Sequence, residues 1–327
     1  MIPSRLNTTD KEFFAREIES FLPDRIFDAH THLWRSDLAP WRVKHAPDSI
    51  TYAVFKDLIS DLYPNREINA LFIPSVQPDS KGSFEYANAW IGEAIKCSQN
   101  NRGLFFVRPK DDPEWVRKEV RRLGLHGLKC YHTSSQVNPT WEAEIPDYLP
   151  EEFVKVAHQE KWVITLHLVR SRAVADPSNI HWIRHYCNQY PDMRLILAHS
   201  ARGFQPAHNI EGLNAVTNLP NLFFDSSANC EPIAHQAILR ICGHKKLMYG
   251  SDFPVSHSRG RSVSVADSFL WLYEETPVWG EKHLSIESTL VGLEHLRSLK
   301  WACWAERLKD KQVEDIFFGN ALRVFNS

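Results

Sequence analysis

The stretch Phe27-Asp28-Ala29-His30-Thr31-His32 places two histidines two residues apart, directly after the apolar pair Ile26-Phe27. On a β-strand, side chains at i and i+2 share a face. Two imidazoles at this spacing, at the end of a short strand, can therefore converge on one metal ion. Three later segments repeat the design: the apolar runs 162–167 and 194–199 end in His167 and His199, and the run 246–252 ends in Asp252. Continuous apolar runs of this kind, separated by helical patterns, read as buried parallel strands. In parallel α/β folds the chemistry gathers at the carboxyl ends of the strands. Four strands thereby deliver His30 and His32, His167, His199 and Asp252 to one face. Each also has a plainer reading: polar residues at a strand end, satisfied core histidines, or, for Asp252 before Phe253-Pro254, a helix cap.

The elements that must position these residues follow from periodicity. Residues 9–22 carry Phe13, Phe14, Ile18 and Phe21 at helical spacing, with Thr8, Thr9 and Asp10 as caps, so 1–24 reads as a helical extension on the outside of the fold. Strands are expected at 26–30, 70–74, 103–107, 126–131, 162–167, 194–199, 221–225 and 246–252. Helical segments fall between them; the legible one at 112–123 has Asp112-Pro113-Glu114 at its start and Gly124 at its end. Eight strands alternating with helices predict an α/β fold, a (β/α)8 TIM barrel, forming a single domain over residues 1–327. No Gly-x-Gly-x-x-Gly follows a strand, which removes a dinucleotide site. After strand eight, residues 255–310 read as a long helical insertion rich in aromatics: Phe269, Trp271, Tyr273, Trp279, Trp301 and Trp304. It pads the barrel wall, caps the active site, or makes the contact of a homo-oligomer.

With 327 residues and 43% hydrophobic content the chain can bury one large core. Its formal charge of −2 argues against nucleic-acid and membrane-surface partners, which call for a basic excess or patch. The N-terminal residues lack an uninterrupted apolar stretch, no apolar run is long enough for a membrane span, and the six cysteines form no Cys-x-x-Cys pair. A cytoplasmic enzyme with reduced cysteines is the expectation.

Taken together, the strand-one motif, Gly127-Leu128-Lys129, His167, Ala198-His199, Tyr249-Gly250-Ser251-Asp252-Phe253-Pro254 and the ending Ile316-Phe317-Phe318-Gly319-Asn320-Ala321-Leu322-Arg323-Val324-Phe325 resemble the amidohydrolase superfamily, specifically its amidohydrolase-2 branch. The resemblance covers nearly the whole barrel in the right order. It implies that His30, His32, His167 and Asp252 hold one divalent ion, Zn²⁺ first and Mn²⁺ as a substitute, a set of imidazoles and a carboxylate suited to both. Asp252 would also take the proton of the attacking water, and His199 would orient that water or stabilise the oxyanion. Lys129 would bind substrate; in the family's binuclear members a lysine here is carbamylated and bridges a second metal. Arg170 and Arg202, following strands five and six, suggest a small-molecule anionic substrate held by its carboxylate, with Trp34 and Tyr131 as a flat apolar wall. The expected function is a metal-dependent hydrolase of a small carboxylate-bearing amide, ester or lactone acting through metal-activated water. The alternative is a metal-dependent non-oxidative decarboxylase of an aromatic or unsaturated acid; a metal-free lactonase stands behind both.

Overall fold

The computed structural model describes residues 3–38, 43–44, 46–75, 83–276 and 287–325. Eight parallel strands alternate with helices: β1 (Arg25–Leu33), β2 (Glu67–Pro74), β3 in two short pieces (Arg102–Gly103 and Phe105–Phe106), β4 (Gly127–Cys130), β5 (Val163–Leu166), β6 (Arg194–Leu197), β7 (Leu222–Asp225) and β8 (Leu247–Met248). The first piece of β3 pairs with β2 and the second with β4, so this strand joins the two halves of the sheet. The ring closes between β8 and β1 through Ala29 N donating to Tyr249 O at 2.8 Å and Asp252 N donating to His30 O at 2.7 Å. A sheet closed on itself has no exposed edge, and its two faces demand different residues. Inside, Phe27, Ala29, Leu71, Ile73, Leu104, Val163, Ile196 and Met248 form one packed cluster with Phe318, Ala321 and Val324 of the C-terminal helix. Phe318 lies under Arg25 at the start of β1, so the C-terminal segment plugs the end of the barrel where the strands begin. Chemistry is left to the other end.

The helical expectations hold where punctuation was clear. Helix Pro113–Leu123 is capped by the Asp112 side chain and stopped by Gly124 at φ 67°, a left-handed position that suits glycine. The N-terminal helix Thr8–Phe13 continues as a π-turn to Ile18; its cap is Asn7, which accepts from Asp10 N while Asp10 accepts from Asn7 N. All six cysteines are free thiols. No described helix is long and apolar enough to cross a membrane.

The segment after β8 departs from the helical insertion expected at 255–310. Among the described residues it begins with a 3-10 turn (Val255–His257), continues as an antiparallel hairpin, β9 (Gly260–Val265) and β10 (Ser268–Tyr273), and has only Val291–Ala305 as a long helix. Trp279 lies outside the described residues. Phe269-Leu270-Trp271-Leu272-Tyr273 alternates with a period of two, and its exposure alternates as a strand's does over Ser268–Trp271.

Candidate active site

A bulge interrupts β1: its register against β2 shifts between Asp28 and Thr31, and pairing resumes from Thr31 to Leu33. Bulges re-aim side chains beside active sites, and here the shift brackets His30. The Nε2 atoms of His30 and His32 lie 3.7 and 3.3 Å from Asp252 Oδ1, and a donor atom from each of the three residues falls within 4.8 Å of the others. Asp252 holds a left-handed backbone at φ 56°. Such conformations persist only where the surroundings impose them.

Asp225, at the end of β7, has no role that the sequence alone assigns. In the fold it is fully buried, and its Oδ2 accepts from His30 Nδ1 at 2.9 Å while Oδ1 accepts from His199 N at 3.0 Å. The first bond fixes the tautomer of His30 and leaves Nε2 as the donor atom facing Asp252, the arrangement metal-binding histidines generally have.

His199 opens a turn of left-handed helix: His199, Ser200, Ala201 and Arg202 have φ of 57°, 53°, 57° and 56°. Such a turn costs about 1–2 kcal/mol per residue. It is held by Asn209 Nδ2 on Ser200 O, Asn229 Nδ2 on His199 O, and the Ser200 hydroxyl against His235 Nδ1. The turn directs His199 and Arg202 into the same cavity. His199 Nδ1 is 3.0 Å from Ser227 O and 3.9 Å from Asp252 Oδ2. His167 stands one ring further, edge-on to His199 at 4.9 Å and to Tyr131 at 5.0 Å, outside the tight group of three.

Electrostatics follow from burial in company. Burial pulls the imidazoles of His30, His167 and His199 down, so they stay neutral and ready to donate electron pairs, although Asp225 opposes this at His30 and Asp252 at His199. Burial alone would raise Asp252; the His32 hydrogen bond and the field of His199 and His30 outweigh it and hold the carboxyl at about 2. Asp225 is likewise held well below the usual range by His30 despite its burial. Lys129 is buried, which lowers its ammonium, while Asp225 and Asp252 pull the other way.

These residues open into a cavity of about 560 Å³ whose lining includes His30, His32, Lys129, Tyr131, His132, His167, His199, Arg202 and Asp252. Among the described residues neither Lys129 nor Arg202 makes an ion pair; Arg202 Nη1 donates to Arg170 O at 2.7 Å, which leaves the rest of its guanidinium facing the cavity. Phe204, Phe269, Trp271 and Tyr273 complete one wall; the sequence offers the last three as a cap over the active site only among alternatives, and gives no sign of Phe204. Two expected residues are elsewhere. Trp34 is 1% exposed, stacked on Phe253 and bonded through its indole nitrogen to Asp48 O, so it is core rather than wall. Arg170 turns away at φ 68°, pairing with Asp176 at 3.0 Å and donating to Glu142 O.

Comparison with known proteins agrees with this architecture. Residues 27–326 match the model of the amidohydrolase family. No curated sequence matches the chain. Among solved structures, an amidohydrolase from Burkholderia multivorans with bound zinc is 13% identical, with a TM-score of 0.59 over 92% of this chain and 99% of that one. A probable 2-pyrone-4,6-dicarboxylic acid hydrolase from Acinetobacter baumannii with citric acid bound is 16% identical, with a TM-score of 0.57 over 92% and 99%. A 5-carboxyvanillate decarboxylase from Sphingomonas paucimobilis is 11% identical, with a TM-score of 0.54 over 93% and 99%.

Proposed function

The chain belongs to the amidohydrolase family, and from that premise we propose that it hydrolyses a small carboxylate-bearing amide, ester or lactone with one divalent ion, zinc first. The observation that carries this reading is the convergence of His30, His32 and Asp252 within 4.8 Å at the end of the barrel, in a cavity shared with Lys129 and Arg202. Two imidazoles and a carboxylate fit such an ion, and His167 is the nearest further imidazole to complete the set. When bound there, such an ion would supply polarisation of a carbonyl and acidification of water.

The chain's own residues supply the rest. Asp252, ionised at neutral pH, offers Oδ2 as proton acceptor on the side facing His199. His199, with Nδ1–H given to Ser227 O, keeps Nε2 basic and able to orient a water molecule. Arg202 and Lys129 hold the substrate carboxylate, the guanidinium in a bidentate manner. The setting we expect is the cytoplasm.

The aromatic wall favours a second reading, non-oxidative decarboxylation of an aromatic acid in the same cavity. Turnover of a panel of carboxylated lactones, esters, amides and aromatic acids in ¹⁸O-labelled water separates the two. Hydrolysis places ¹⁸O in the product. Release of CO₂ without ¹⁸O in the organic product overturns hydrolysis and supports decarboxylation.

A further inference from the structure

We propose that His235, buried behind the site and outside the cavity lining, is a positioning residue: it holds the left-handed turn 199–202 through Ser200 and so aims His199 and Arg202 as one unit. The inference rests on the roles given to those two residues above.

Among the turn's side chains, His199 and Arg202 line the cavity, and Ala201 has no polar atom. Ser200 is the remaining handle, and it is fully buried outside that lining. Its hydroxyl lies 2.8 Å from His235 Nδ1. A buried hydroxyl without a partner is costly, so Ser200 keeps this place only while His235 offers it an acceptor. The proton on His235 has one position. Nε2 lies 2.9 Å from Asn229 O, and a carbonyl only accepts, so Nε2 carries the hydrogen and Nδ1 accepts from Ser200. Burial lowers this imidazole to about 4, so the neutral form that the arrangement needs is present at neutral pH.

Other clamps of the turn meet at the same place. Asn229, whose carbonyl His235 holds, gives Nδ2 to His199 O at 3.2 Å. Asn209 Nδ2 reaches both Ser200 O at 2.9 Å and Ala234 O at 3.2 Å, one residue before His235. From the helix Val291–Ala305, Ser298 Oγ lies 3.0 Å from Asn229 O and 3.1 Å from His235 Nε2. Space is as tight as the bonding. A Cβ on Gly203, directly after the turn, would lie 2.7 Å from the Asn209 amide and 2.8 Å from Ser200 O.

Four consecutive non-glycine residues at positive φ persist only where their surroundings over-determine them. At its ends the turn is tied by His199 N to Asp225 Oδ1 at 3.0 Å and by Arg202 Nη1 to Arg170 O at 2.7 Å. Ser200 is its anchor in between. Freeing that anchor shifts the imidazole and the guanidinium together.

The test is succinate binding by titration calorimetry on the zinc-loaded full chain, with the zinc content of each variant measured beside it. Affinity should fall about ten-fold in Ser200→Ala and in His235→Phe, the worth of a hydrogen bond to a charged group. His235→Asn, which keeps an acceptor near Nδ1, should recover it to within about three-fold. Zinc content should not change, because His30, His32 and Asp252 lie off the turn. Arg202→Gln with His235→Phe should bind no more weakly than Arg202→Gln alone, since residues acting through one contact are not additive. In the crystal structure of Ser200→Ala, His199 and Arg202 should both be displaced. Wild-type affinity in Ser200→Ala and His235→Phe, a further loss in the double variant, or an undisturbed turn overturns the proposal and leaves the reading of the site intact. No succinate binding by the wild type sinks the carboxylate grip of Arg202 and this proposal with it, while ¹⁸O uptake still decides hydrolysis.

Discussion

At the scale of single residues the site is a set of side chains whose freedom has been removed by neighbours distant in sequence. His30 can present Nε2 only because its Nδ1–H is donated to Asp225, across 195 positions of chain. Asp225→Asn should therefore weaken zinc binding by about 10- to 100-fold while the fold stays intact. Competition with a chromophoric chelator reads the affinity, and an unchanged affinity would show that Asp225 does not set the tautomer. His30, His32, His199 and Asp252 were legible because each closes an apolar strand, and strand ends are positions that sequence can number. Asp225 also closes a strand, yet its role depends on which strand end it faces across the barrel. Arg170 and Trp34 failed for the same reason in reverse: proximity to a strand end does not say where a backbone at φ 68° will send its side chain, or that an indole will be claimed by Asp48.

Among elements, barrel strands and helices followed from periodicity and caps, whereas the hairpin did not. The aromatics at 255–310 drew a helical reading, although Phe269, Trp271 and Tyr273 recur every second residue and Ala266-Asp267 forms the two-residue link between paired strands. The N-terminal extension is tied to this region by Asp10, which takes Arg259 Nη2 at 2.6 Å and Leu290 N at 3.2 Å. Asp10 is wholly buried and Arg259 nearly so, so Asp10→Ala strands a cation. We expect a loss of about 3–5 kcal/mol, the range for breaking one half of a buried pair. Urea unfolding measures it, and a loss below about 1 kcal/mol, the worth of a surface pair, would mean the extension is only draped on the barrel.

For the whole molecule, burial of histidine sets the response to acid. His235 is pushed down to about 4 by burial, only partly offset by Asn229, and His126 and His257 are lowered to about 4 chiefly for the same reason. Below about 6.5 the unfolded chain takes up protons that these imidazoles refuse in the fold. Their contribution is thus complete above pH 6.5 and is lost as pH falls towards 4, with about 1–3 kcal/mol at stake for His235. Urea midpoints across that range should fall steadily, and less steeply in His235→Gln; parallel slopes for the two proteins would contradict the assignment. Above these effects stands the claim that the barrel's open end is a metal site. The direct measurement is metal content per chain by elemental analysis, on protein purified without chelator or histidine tag, beside His30→Ala and Asp252→Ala. The account predicts about one equivalent of zinc or manganese in the wild type and loss of it in both variants. No metal in the wild type, with none taken up from added Zn²⁺ or Mn²⁺, would contradict it.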